Sequence, residues 1–224
     1  MSAAGGGRRY DLLVFDWDGT LLDSVGSIVE CTRATLAELG LPELPEAAIR
    51  ATVGLSLDEA MLRLSGGGPD TQAAERVRDA YRRHWFGTYA QRPVLFTGVE
   101  ALLSGLEEAG YLLAVATGKG RPGLDRDLAA SGLAGRFHAT RTADETRSKP
   151  HPQMVLDLLD ELGAAPRRTL VVGDSIWDLQ MAAAAATAAV AVCTGAHPRA
   201  DLLACSPLAC LAGVCELADW LKAP

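Results

Sequence analysis

"LLVFDWDGTLLDS", residues 12–24, decides how the rest of the chain is read. The apolar run 11–15 stops abruptly at Asp16, Trp17, Asp18 and Gly19. Such a run predicts a short buried strand. Its carboxyl end brings two carboxylates to one place, and like charges that close oppose each other's ionisation. Something in the rest of the chain has to offset that repulsion.

Working outward, the apolar period changes at once. Val25, Ile28, Val29, Thr32, Leu36 and Leu39 recur at helical spacing, and Gly40 and Pro42 end the pattern. Ser56 with Glu59 predicts a capping box before Leu57, Ala60, Met61 and Leu64. "SGGGPD" (65–70) breaks the chain, and Ala74, Val77, Tyr81 and Trp85 predict another helix. Residues 24–92 therefore read as nearly all helix.

From Pro93 the grammar alternates. Helices are expected at 98–110, from Gly123, at 152–163, from Asp178 and at 215–222. Strands are expected at 111–117, 137–140, 169–174, 188–193 and, weakly, 208–211. Strands separated by helices imply crossover connections and a parallel sheet covered on both faces. The expected fold is α/β: a doubly wound, Rossmann-like core from residues 1–23 and 93–224, with a helical cap, 24–92, inserted after the first strand. The alanine run 182–186 is expected to be a close-packing helix face.

With 224 residues, 49 % of them hydrophobic, the chain can bury a sizeable core. A net charge of −7 argues against nucleic-acid and anionic-membrane partners, which need a basic face. No apolar stretch of signal-peptide length follows the two N-terminal arginines, and no run reaches membrane-span length, so the cytoplasm is expected. Cys31, Cys193, Cys205, Cys210 and Cys215 lack any zinc-type spacing and are read as small buried hydrophobes in a reducing compartment. The lysines are only Lys119, Lys149 and Lys222.

In open α/β sheets, ligands bind at the carboxyl ends of the strands. Those ends carry Asp16 and Asp18, then Thr117 and Gly118, then Gly173, Asp174 and Ser175 with Asp178 just beyond; Lys149 precedes a helix. A carboxylate cluster of hard oxygen ligands suits Mg²⁺, and a nearby ammonium and hydroxyl suit an oxyanion such as phosphate.

"DWDGT" (16–20), "ATG" (116–118), "SKP" (148–150) and "GDSIWD" (173–178) occur in this order. In these motifs the sequence resembles the haloacid dehalogenase-like hydrolases, in the helical-cap branch. The segment "ATVGLSLDEAM" (51–61) looks like the site-facing cap segment of its phosphoglycolate phosphatase-like members. The resemblance implies an Mg²⁺-dependent phosphatase acting on a small phosphorylated metabolite through an aspartyl-phosphate, as a monomer or homodimer. It implies Asp16 as nucleophile, Asp18 as general acid and base, and Thr117 and Lys149 as holders of the phosphoryl oxygens. The metal would be bound by Asp16, Asp174 and the backbone carbonyl of Asp18, with Asp178 and Ser175 behind them. Gly118 departs from the Asn or Ser common there, which leaves a backbone N–H to meet phosphate.

Other readings exist. "GKGRPG" (118–123) fits G-x-G-x-x-G, with Asp144 further on, but a dinucleotide site would leave Asp16, Asp18 and Asp174 unexplained. A phosphomutase or pyrophosphatase of the same superfamily, or a non-catalytic relative, remains an alternative. A dehalogenase has no need of Asp18. The phosphonate hydrolases and β-phosphoglucomutases of the superfamily rely on a cap lysine, and residues 24–92 contain none. Asp23 and Ser24 read as a hinge and helix cap, and Trp17 and Trp177 as local packing, Trp17 near the substrate entrance. His151 reads as ordering its loop. Arg50, Arg63, Arg82 and Arg83 read as solvated helix faces or as contacts for an anionic substrate.

Overall fold

The opening run forms strand β1 (Leu12–Phe15), buried along its length. The structure is a computed structural model that describes residues 8–65, 71–89 and 93–223. Further strands are β2 (Leu112–Thr117), β3 (Ala139–Thr142), β4 (Thr169–Gly173), β5 (Ala188–Val192) and β6 (Cys210–Leu211). They form one sheet of order β3-β2-β1-β4-β5-β6, with every pairing parallel. The order reverses between β1 and β4, and a crevice opens at such a point.

Both sheet faces are buried, which is why the strands read as unbroken apolar runs. Leu13, Phe15, Val115 and Val172 pack with helix α5 (Val99–Glu108) and the C-terminal helix (Leu217–Lys222). Leu12, Val14, Ala116 and Val171 pack with helices Gln153–Leu162 and Ile176–Ala184.

Between β1 and β2 lie α1 (Val25–Glu38), α2 (Glu46–Arg50), α3 (Leu57–Leu64) and α4 (Thr71–His84), then a π-helical turn, Trp85–Tyr89. Cys31 on α1 packs against Trp85 and Tyr81; Ala60 and Met61 on α3 pack against Val77. The two chain segments joining these helices to the sheet run antiparallel. Asp23 N donates to Val94 O at 2.8 Å and Phe96 N to Leu21 O at 3.0 Å.

Several expectations need correction. The stretch 24–92 is less helical than read: residues 39–45 and 51–56 are turns and loop, and 51–56 carry the chain over the sheet's carboxyl edge. Ser56 accepts from Glu59 N, but the Glu59 carboxylate pairs with Arg63, so the box is half made. The complete reciprocal box is Ser175 with Asp178. Helix α6 (Arg121–Ala130) starts before Gly123, because Pro122 is tolerated in a first turn, where an N–H at its position needs no i−4 carbonyl. β3 begins two residues later than the expected 137. The alanine face is narrower than read: the helix ends at Ala184, Ala186 has φ 55°, and only Ala182 and Ala185 are buried. All five cysteines are free, yet Cys31 alone is buried and Cys215 is exposed. The tail 1–7 and most of the break at 65–70 lie outside the described residues.

Candidate active site

β1 and β4 flank the crevice, and their ends set the first carboxylates. Asp16 N donates to Val172 O at 2.9 Å, which holds the end of β1 against β4. Asp16, Asp174 and Asp178 are buried, with carboxylate oxygens within 4.8 Å of one another. Lys149 reaches between two of them, 2.5 Å from Asp16 Oδ1 and 2.6 Å from Asp178 Oδ1. Burial alone would lower the lysine's pKa; Asp16 and Asp178 outweigh it and raise it above the ordinary value. The same burial pushes Asp16 well above the carboxylate range, helped by the charges of Asp178 and Asp174 and opposed by Lys149. Burial, with the charge of Asp178, raises Asp174 to about 6.

Each neighbour is locked. Thr20 Oγ1 donates to Asp174 Oδ1 at 2.9 Å and Ala196 N to Oδ2 at 2.7 Å. Ser175 donates its N–H and hydroxyl to Asp178 Oδ2. Gly19 and Gly195 face Asp174 so closely that a Cβ on either would overlap its carboxylate. Asp16 Oδ2, by contrast, is buried with no hydrogen-bond partner. Three carboxylates share one ammonium, and one oxygen has no partner. That donor set fits a hard divalent cation, which takes oxygen ligands and neutralises the excess charge.

Asp18 is held differently from the expectation. Ser24 makes no side-chain cap on α1; its hydroxyl donates to Asp18 Oδ1 at 2.6 Å. Lys119, which the motif reading left unassigned, lies 3.1 Å from the same oxygen and 3.1 Å from Asp127 Oδ2. Trp17 is fully buried, donates its indole N–H to Asp127 at 3.2 Å, and does not line the entrance. Burial would lower the Lys119 pKa, but the charges of Asp18 and Asp127 raise it, so the group stays cationic. The scarcity of lysine was the one sequence signal that could have singled it out.

At the end of β2, Thr117 is buried with its hydroxyl accepting from Lys119 N at 3.1 Å. The glycine at 118 has a structural reason: a Cβ there would overlap the carbonyl oxygens of Gly54 and Leu55. The turn segment fills the space an Asn or Ser side chain needs. Ser56 N donates to Ser148 Oγ at 2.8 Å, and Trp177 donates its indole N–H to Ala51 O at 3.1 Å. Gly118→Ala is therefore expected to push the 51–56 segment off the sheet edge, since backbone oxygens cannot rotate away. The expected cost is about 1–3 kcal/mol of stability, with a fall in kcat/KM. Thermal unfolding and steady-state kinetics check it, and a variant matching wild type in both refutes it.

The dinucleotide reading fails on geometry. Arg121 N, at the start of α6, donates to both Asp144 oxygens at 3.0 and 3.1 Å. A carboxylate of the chain itself thus occupies the place a pyrophosphate would take. His151 Nδ1 accepts from Gln153 N at 3.2 Å and orders its loop. Arg50 pairs with Glu46 and donates to Gly195 O, Arg63 pairs with Glu59 and lies over the Trp177 ring, and Arg83 pairs with Glu38.

Comparison with known proteins agrees with this geometry. The family profile described as haloacid dehalogenase-like hydrolase matches residues 13–192. A protein of Dickeya dadantii named "Probable phosphatase IndB" is 38 % identical over 201 residues, 88 % of this chain and 86 % of that one. A phosphoglycolate phosphatase of Nitrosococcus oceani is 27 % identical over 220 residues, 96 % of this chain and 98 % of that one. A solved structure described as "Putative haloacid dehalogenase-like hydrolase from Bacteroides fragilis" matches with a TM-score of 0.86 at 27 % identity, covering 93 % of this chain and 99 % of that one. The chain belongs to the haloacid dehalogenase-like hydrolases, and within them it is a phosphatase, a hydrolase of phosphoric monoesters.

Proposed function

We propose that Asp16 is the nucleophile of a two-displacement hydrolysis of small phosphorylated metabolites. The observation that carries this reading is Asp16 Oδ2, a buried carboxylate oxygen with no donor, at the sheet's switch point. Its other oxygen is held by Lys149, which orients the carboxylate and keeps positive charge beside the incoming phosphoryl group. Asp16 attacks phosphorus, and the leaving oxygen takes a proton from Asp18, which Ser24 and Lys119 hold at the cavity wall. Asp18 then takes a proton from the water that hydrolyses the aspartyl-phosphate. The Thr117 hydroxyl and the Gly118 N–H receive phosphoryl oxygens.

Asp16, Asp174 and the Asp18 carbonyl would hold Mg²⁺, with Asp178 and Ser175 positioning that set. When bound, the ion neutralises charge on the carboxylates and on the phosphoryl oxygens. Residues 1–23 and 93–224 act as the catalytic core, and 24–92 as a cap that selects the leaving group. No helix among the described residues is long and apolar enough to cross a membrane. Five free thiols support a reducing compartment such as the cytoplasm.

The test is the leaving-group dependence of Asp18→Asn. Poor leaving groups need the proton, so phosphorylation from alkyl phosphates is expected to slow by about 10²–10⁴-fold. An activated aryl phosphate loses less in that step. Pre-steady-state rates that fall equally for both substrates would remove Asp18 from the acid role.

A further inference from the structure

We infer that the alcohol half of the substrate has a bulky aromatic or extended apolar body and carries no second anionic group. The inference rests on the phosphatase reading and concerns what fills the rest of the same cavity. That cavity has a volume of about 460 Å³. Asp16, Asp18 and Thr117 line it at the sheet edge, and Leu55, Leu57, Met61, Trp85 and Phe86 line it on the helical side. A two-carbon acid would leave most of this space to water against apolar walls. An aromatic body removes that surface from water and contributes binding energy far from the reacting atoms.

Charge points the same way. Among the described lining residues the cations are Lys119 and Arg82, whereas Asp16, Asp18, Asp58 and Asp144 are carboxylates. Lys119 is already committed to Asp18 and Asp127, and its ammonium lies 4.8 Å from the centre of the Trp85 ring. Arg82 is exposed at the rim. Arg50, Arg63 and Arg83 are paired with carboxylates and do not line the cavity. A carboxylate or second phosphate entering here would lose its hydration among apolar groups and carboxylates.

Ethyl phosphate, 2-phenylethyl phosphate and phosphoglycolate test this, assayed with the full chain and Mg²⁺. The first two release alcohols of similar acidity, so their ratio reports on the body of the leaving group rather than on bond cleavage. The expected kcat/KM for 2-phenylethyl phosphate exceeds both others by about tenfold or more. Phe86 is 44 % exposed, so Phe86→Ala is compatible with folding, and it is expected to lower the phenylethyl-to-ethyl ratio several-fold. The same order is expected, without turnover, for binding of 2-phenylethylphosphonate against ethylphosphonate. Preference for phosphoglycolate, lost in Arg82→Ala, would overturn the inference and leave the phosphatase reading standing. An unchanged ratio in Phe86→Ala would overturn the assignment of this cavity to the leaving group. Turnover of none of the three would overturn the phosphatase reading, and the inference with it.

Discussion

Asp16→Asn is expected to lower steady-state turnover by about 10⁴-fold or more while the fold survives. The amide is nearly isosteric with the carboxylate but its nitrogen has no lone pair free to attack phosphorus, and its carbonyl oxygen is a poor nucleophile. Stability has little to lose. Burial holds Asp16 well above the ordinary carboxylate range, so its charged form is already costly in the folded chain. Lys149 keeps an amide carbonyl as acceptor at position 16 and retains Asp178 as counter-charge. The check is kcat on a homogeneous, undeamidated sample, with circular dichroism for the fold. Turnover within tenfold of wild type would end the covalent mechanism.

The second large effect belongs to Asp174. Asp174→Asn removes one carboxylate of the cluster while keeping an acceptor for Thr20 or Ala196, whose donors converge on it. The Mg²⁺ concentration for half-maximal activity is expected to rise by about 100-fold or more. The pH dependence has a definite sign. An unfolded aspartate titrates near 3.9, and burial raises the folded group to about 6. Between those values the folded chain keeps a proton that the unfolded chain has lost. Stability of the metal-free protein therefore falls as pH rises from about 4 to about 6, by about 3 kcal/mol for this group. Bound Mg²⁺ offsets that cost. Its effect on Tm is expected to be greatest above about pH 6 and to shrink toward pH 4, with a weaker pH dependence in Asp174→Asn. Thermal melts in EDTA and in excess Mg²⁺ across this range check it. A Mg²⁺ requirement unchanged in the variant would remove Asp174 from the metal site.

Much of this was legible in the sequence, for stated physical reasons. A parallel sheet is buried on both faces, so its strands appear as apolar runs, and its ligands gather where those runs end. That is why Asp16, Asp18, Thr117, Lys149 and Asp174 stood out, and why four of these five lie at strand ends in the structure. Side-chain length and packing decided the rest. Lys119 sits two residues past Thr117 in a segment that resembles a nucleotide loop; Asp127 reaches it from the helix that follows, and only the fold brings Asp18 to it from a distant part of the chain. Ser24 occupies a helix-cap position, yet its hydroxyl donates to Asp18 and accepts no N–H of the helix. Gly118 reads from the sequence only as a departure from Asn or Ser, and the backbone of residues 54 and 55 shows it to be a steric requirement. One-dimensional spacing determined which groups end up along the sheet edge. Which of them touch, and which oxygen is left without a partner, depended on contacts between residues more than a hundred positions apart, such as Lys149 with Asp16, and only the tertiary structure decides those.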